Sequence, residues 1–158
     1  MATRKKISLD PNFKEFIALL NSEGVKYLRL GGYAVNYHGF HRFTGDIDFW
    51  IAVDPDNARR VSAALIRFGF SPQSVGPQQF LEQGKVHMFG VPPVRVDLLT
   101  GPSGVDFDAC YARRVVANLD GVEVPVISLS DLRRNKRASG RDKDLLDLKQ
   151  LPAAGDES

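Results

Sequence analysis

Apolar residues recur along the chain with two different periods, and the places where the period changes mark the elements. After Asp10-Pro11, the residues Phe13, Phe16, Ile17 and Leu20 repeat at helical spacing until Gly24, which predicts a first helix with one buried face. Residues 25–30, VKYLRL, read as a strand that ends abruptly at Gly31-Gly32, and a short helix is expected over residues 33–37. Residues 46–53, DIDFWIAV, are rich in β-branched and aromatic side chains and predict a central strand. It stops at Asp54-Pro55, which caps a helix over residues 55–68 with Ala58, Val61, Ala64, Leu65 and Phe68 on one face and Gly69 as its stop.

The Gly-, Pro- and Gln-rich stretch 71–79 is expected to run over the surface. Two more strands are predicted over residues 86–91 and 94–100 on either side of Pro92-Pro93, followed by a short helix over residues 107–113. Asp120-Gly121 between apolar runs in residues 115–127 predicts a hairpin or a strand pair. Ser128 and Ser130 are helix caps, and after a break at Ser139-Gly140 a last helix over residues 142–151 should turn Leu145, Leu146 and Leu148 inward. Alternating helices and strands predict an α/β (α+β) fold, a small mixed β-sheet flanked by helices. A single domain is expected over residues 1–151, with the helices of residues 128–151 packed on it and residues 152–158 as a disordered tail.

Composition narrows the class. With 158 residues, 43% of them hydrophobic and 25% charged, the chain reads as one ordinary globular domain. No apolar run approaches the length that crosses a bilayer, and MATRKKISLD leads into an amphipathic segment, not into a secretory apolar region. A cytoplasmic location is expected. Cys110 is the one cysteine, and the three histidines lack zinc-type spacing. A net charge of +2 implies no nucleic-acid partner by itself. Residues 133–143, RRNKRASGRDK, nevertheless concentrate Lys and Arg against the single acid Asp142, which tilts the reading toward a polyanionic partner.

The chemistry centres on three acids. In a strand, Asp46 and Asp48 project from one face while Ile47 and Phe49 pack on the other. Two carboxylates so close repel unless a cation lies between them, and Mg²⁺ accepts carboxylate and phosphate oxygens together. Alone, the pair reads equally well as a charged strand edge. Asp97 shifts that balance, because in VRVDLLT it interrupts an apolar strand, with Arg95 and Leu99 on its own face. If that strand pairs with residues 46–53, three carboxylates can serve two metal ions flanking a displacement at phosphorus. Backbone amides at Gly31-Gly32, at the mouth of a helix, would bind phosphate.

An apolar residue with two glycines (LGG, 30–32), then Asp-Ile-Asp-Phe (46–49) and a later strand aspartate (Asp97) resembles the polymerase-beta-type nucleotidyltransferase superfamily. RFTGDIDFWI, 42–51, is similar to its small bacterial branch of abortive-infection and toxin-like members. So are Lys136 and GRDKDLLDL, 140–148, which resemble that branch's C-terminal Lys…Arg…Asp…Asp helices. The resemblance spans residues 30–148. It implies a Mg²⁺-dependent enzyme with a two-metal site, transferring NMP from an NTP such as ATP to a hydroxyl on RNA, protein or a small molecule. By the same resemblance Asp46 and Asp48 hold metal and triphosphate, Asp97 binds the second metal and assists deprotonation of the attacking hydroxyl, and Gly31 and Gly32 cradle phosphate. A toxin with an antitoxin partner is a further implication.

Arg42 and Thr44 precede the acid pair and are candidates for phosphate contact and loop orientation. Lys136 and Arg141 are candidates for the triphosphate, against the plainer reading of a charged solvent face. Phe49, Trp50 and Phe89 are expected in the core, and His38 and His41 as partly buried polar packing. Arg95 faces the same side as Asp97 and is expected to pair with one of the carboxylates when metal is absent. The rival from another class is a non-catalytic nucleotide-binding or partner-binding module. A metal-dependent nuclease ranks last, because Leu99 stands where such sites place a lysine.

Overall fold

A computed structural model describes residues 11–30, 47–91, 94–102, 104–119 and 121–151. The first helix, α1, spans Pro11–Ser22 and buries Phe16, Ile17 and Leu20 completely. Strand β1 is short, Tyr27–Arg29, and β2 covers Ile47–Ile51. Helix α2, Pro55–Phe68, begins where the sequence places it: Asp54 accepts a hydrogen bond from the Asn57 N–H at 2.8 Å, Pro55 supplies a preset φ, and Gly69 ends the helix at φ 125°.

Asn57 does more than continue that helix. It is 3% exposed, its Oδ1 accepts from the Lys26 N–H at 2.8 Å, and its Nδ2 donates to the carbonyls of Ala52 at 2.8 Å and Lys26 at 3.1 Å. The start of α2 is thereby fastened to the segments that enter β1 and leave β2. The stretch expected to run over the surface is anchored at two points, since Val75 and Phe80, the latter closing a 3₁₀ turn over Pro77–Phe80, are both fully buried.

Strands β3 (Val86–Val91) and β4 (Val94–Leu99) are followed by α3 (Phe107–Ala112), β5 (Val115–Leu119), β6 (Val122–Val126), α4 (Leu129–Ser139) and α5 (Asp142–Gln150). The six strands form one mixed sheet in the order β3-β4-β2-β1-β6-β5. β2 runs parallel to β4 and antiparallel to β1, and β1 runs parallel to β6. The 115–127 segment is an antiparallel hairpin whose turn is supported by the Gly121 N–H donating to Asn118 Oδ1 at 3.1 Å.

Helices cover both faces. On the Phe49 face, Phe16 of α1 meets Phe49 edge-on at 5.4 Å between ring centroids and Phe68 of α2 at 5.1 Å. On the opposite face, Trp50 meets Phe107 of α3 at 5.1 Å. Phe49, Trp50 and Phe89 are buried, as expected of strand aromatics.

The last helix departs from its pattern. Leu145 and Leu146 are exposed, at 41% and 57%, while Asp144 and Asp147 are the residues buried. The acids turn inward because Lys136 of α4 lies beneath them, and an ion-paired interior outweighs the apolar stripe that the sequence presents. Among the described residues no helix is long and apolar enough to cross a membrane.

Candidate active site

Asp48 and Asp97 are register partners across the parallel pair β2·β4, so they leave the same face of the sheet on strands about 4.8 Å apart. Asp48 is half-buried and Asp97 is 7% exposed. The condition attached to Asp97, that its strand pair with that of residues 46–53, is therefore met. Arg95 holds Asp97 with two hydrogen bonds, Nε to Oδ1 and Nη2 to Oδ2, each 3.1 Å. Such a fork fixes the carboxylate plane.

The backbone around Asp48 is fastened from β1. The Asp48 carbonyl accepts from the Leu30 N–H at 3.2 Å and from Arg29 Nε at 3.3 Å. Arg29 is 2% exposed, and its guanidinium lies 4.9 Å from the Phe49 ring centroid. This buried cation behind the acid-bearing strand is absent from the sequence reading. Its signal was available: an arginine inside the apolar run VKYLRL is as anomalous as the aspartate inside VRVDLLT.

A cleft of about 330 Å³ opens beside Asp48 and is lined by Leu30, Val86, Leu99, Gly101, Pro102, Asn135, Lys136, Ser139 and Arg141. Three of the predicted site residues, Asp48, Lys136 and Arg141, thus share one cavity, and Asp97 sits on β4, which reaches that cavity through Leu99. Gly31, Gly32, Arg42, Thr44 and Asp46 lie outside the described residues, as do His38, His41 and the helix expected over residues 33–37. Among the described residues no group of three or more His, Cys, Asp or Glu is gathered to hold a metal. Asp48 and Asp97 contribute two carboxylates, hard oxygen donors of the kind Mg²⁺ accepts.

Lys136 is not a solvated charge. Its side chain is 5% exposed, and Nζ lies 3.0 Å from Asp144 Oδ1 and 3.1 Å from Asp147 Oδ2. Asp144 Oδ2 also accepts from Arg141 Nε at 2.7 Å and from the Ser139 hydroxyl. Burial pushes the Asp144 carboxyl upward, but the hydrogen bonds from Ser139, Arg141 and Lys136 outweigh it and hold the group down at about 2. Arg141 keeps a side chain that is 74% exposed, so its guanidinium reaches solvent at the cleft rim.

A second buried acid organises the other end of α4. Asp131 accepts from Arg113 Nε at 3.1 Å and Nη2 at 2.9 Å, from Arg134 Nη1 at 2.9 Å and from the Ser128 hydroxyl at 3.0 Å. Burial opposes ionisation of Asp131, and the Arg113 and Ser128 hydrogen bonds lower its pKa despite it. Cys110 lies close by; burial first and the Asp131 charge second push its thiol up to about 12, which leaves it unreactive. Arg133 donates to the carbonyls of Leu148 and Leu151 at the end of α5. Arg133, Arg134, Lys136 and Arg141 of the basic run in residues 133–143 thus each have a partner within the fold, with Lys136 buried and the Arg134 and Arg141 side chains 56% and 74% exposed.

No family model and no curated protein sequence matches the chain. Solved structures do. A Thermotoga maritima protein described as a nucleotidyltransferase superposes with a TM-score of 0.60 at 14% identity, over 93% of this chain and 97% of that one. The lincosamide antibiotic adenylyltransferase LnuA, solved with lincomycin bound, gives 0.52 at 16% identity over 93% and 98%. A nucleotidyltransferase-like antigenic protein of Paracoccidioides brasiliensis gives 0.50 at 20% identity over 86% and 71%. The mixed sheet with its acid-bearing parallel strands and flanking helices is the nucleotidyltransferase fold.

Proposed function

We propose that the protein is a Mg²⁺-dependent nucleotidyltransferase that moves NMP from an NTP to a hydroxyl acceptor and releases pyrophosphate. The observation that carries this reading is the in-register placement of Asp48 and Asp97 beside a cleft that Lys136 and Arg141 also line. Asp46, two residues before Asp48 in the sequence, is the third acid of the reading. These acids would hold Mg²⁺, which supplies charge neutralisation at the α-phosphate and the departing pyrophosphate.

The chain's own residues do the rest. Arg95 orients the Asp97 carboxylate, which takes the proton of the attacking hydroxyl. The exposed Arg141 guanidinium meets the triphosphate, and Lys136, fixed between Asp144 and Asp147, sets the wall from which Arg141 reaches out. In this reading Gly31 and Gly32 would offer amides to phosphate, Arg42 would touch a phosphate and Thr44 would orient the loop or the ligand. Positioning and preorganised charge supply most of the rate in such a transfer.

The acceptor class in this reading is a hydroxyl on RNA, protein or a small molecule. LnuA, an adenylyltransferase of lincosamides, is a small-molecule precedent on this fold. The likeness to the toxin-type branch rests on residues 42–51, Lys136 and residues 140–148; within the C-terminal part, Lys136, Arg141, Asp144 and Asp147 meet in one ion-paired cluster. The toxin role holds if induced expression halts growth and the product of a neighbouring gene relieves it. One domain working in the cytoplasm is part of the same proposal.

The direct test is incubation with each α-labelled NTP, Mg²⁺ and cell lysate. Label should pass to RNA, protein or a small molecule, and Asp48→Ala should reduce the transfer by about a hundred-fold or more. Transfer by Asp48→Ala as strong as by the wild type would sink the assignment.

A further inference from the structure

The sheet face that carries Asp48 and Asp97 is not evenly covered. α3 closes it at Trp50, but over the outer strands two apolar side chains stay open, Val86 at 56% and Met88 at 62% exposed. In the antiparallel pair β3·β4, Val86 faces Leu99 and Met88 faces Asp97. An apolar strip therefore runs along the edge of the sheet, touches the cleft through Val86 and Leu99, and ends beside the Asp97 carboxylate. Contiguous exposed apolar residues rimmed by polar groups mark a surface that something covers.

Charge selects the occupant. The two cations that line the cleft, Lys136 and Arg141, are matched by the two acids Asp144 and Asp147. A nucleic-acid acceptor would need surplus cations along its path, and this wall provides none on balance. We propose that the strip is the acceptor platform, and that the acceptor is a neutral small molecule carrying a hydroxyl on an apolar ring or chain. Its apolar side lies on Val86, Met88 and Leu99, with the hydroxyl toward Asp97. This inference rests on the nucleotidyl-transfer reading above. In that step the acceptor oxygen bonds to the α-phosphorus, the bond from that phosphorus to the bridging oxygen breaks, and the electron pair leaves with pyrophosphate. The hydroxyl proton passes to the Asp97 carboxylate and then to solvent.

The chain has two methionines, Met1 and Met88, so a protein labelled with ¹³C-methyl methionine reports on the platform through one internal signal. The full chain, saturated with Mg²⁺ and α,β-methylene-ATP, is titrated with trans-4-tert-butylcyclohexanol and separately with a ten-nucleotide oligo(A). The Met88 methyl signal should shift saturably with the alcohol and stay in place with the oligonucleotide. Val86→Lys should weaken the alcohol response about ten-fold, and the near-isosteric Val86→Thr, which serves if the lysine variant does not fold, about three-fold. If calorimetry shows the nucleotide bound but the alcohol leaves Met88 unmoved, the platform assignment falls and nucleotidyl transfer stands. Failure to bind the nucleotide at all overturns both. A shift with oligo(A) makes the acceptor a polyanion, and a shift on diluting the protein alone makes the covering partner a second copy; either result overturns the proposal.

Discussion

Replacing Lys136 with methionine tests the interior of α4 and α5 most sharply. The wild-type lysine sits between two carboxylates that are 1% and 2% exposed, Asp144 and Asp147. Methionine fills similar volume but leaves both acids without their shared cation, and removing one partner of a buried pair costs about 3 kcal/mol or more. Asp144 retains Ser139 and Arg141 as donors, so the loss should fall at the low end, about 3 kcal/mol. In urea this appears as a lower midpoint at unchanged slope.

The pH dependence carries the sign. Asp144 is lowered from an ordinary 3.8 to about 2 in the folded protein, which corresponds to about 2 kcal/mol of stability at neutral pH. A depressed carboxyl contributes fully above its unfolded value and loses that contribution as pH falls through its folded value, here between roughly 4 and 2. In Lys136→Met the same acid has less reason to stay charged, so its protonation occurs at higher pH and relieves the variant. The difference between wild type and variant should therefore be about 3 kcal/mol at pH 7 and become smaller as pH falls from roughly 4 to 2, where Asp144 begins to protonate in the wild type and Lys136 loses part of its counter-charge. Urea melts at both pH values measure it. A difference under about 0.5 kcal/mol at pH 7, or one that does not change with pH, would show that the Lys136 cluster is not the paired interior described.

Asn57→Ala removes three hydrogen bonds to the backbone of Lys26 and Ala52 and should cost about 2 to 3 kcal/mol by urea denaturation. Leu146→Gln should change stability by less than about 0.5 kcal/mol because Leu146 is exposed, whereas Asp147→Ala, which takes an acid from Lys136, should cost about 1 to 3 kcal/mol. The reverse order is what the leucine pattern alone would give, so the pair of thermal melts decides between the two helix faces. Cys110 is 1% exposed with its thiol at about 12. At pH 8 a disulfide reagent should therefore modify it about a thousand-fold more slowly than a thiol at its ordinary 9.0, and modification should become fast in denaturant.

What was legible in the sequence follows from what local rules can reach. Helix α2 was fully readable because its signals are all local: Asp54 as cap, Pro55 at the first turn, an apolar stripe and Gly69. The β5·β6 hairpin was readable from Asp120-Gly121 for the same reason. The alternation in VRVDLLT placed Arg95 and Asp97 together, and the ion pair is there. Strand order was not readable, because a crossover that sets β2 parallel to β4 depends on pairings between distant segments. The anchoring of residues 71–79 by Val75 and Phe80 escaped for a similar reason, since two isolated apolar residues in a polar stretch show no period.

In the sequence the acids of the candidate site stood out more clearly than the pairing of its bases. Carboxylates within apolar strands are costly to bury, so Asp48 together with Asp97 marked a candidate site that neither acid marked alone. Lysines and arginines carry no such cost on a surface, and a run of them in residues 133–143 looks the same whether it faces water or acids of the same chain. The acids that answer Lys136 were present in the sequence at Asp144 and Asp147, eight and eleven residues on, but the leucines between them claimed the inward face by the ordinary apolar rule. A helix that buries aspartates in preference to leucines needs a cation already in place beneath it. Lys136 and the break at Gly140, in the left-handed conformation at φ 63°, supply that cation and fold α5 back over it. The same pairing that hides the acids also balances the charge of Lys136 and Arg141 at the cleft wall, and the proposal of a neutral apolar alcohol as acceptor rests on that balance together with the open Val86 and Met88.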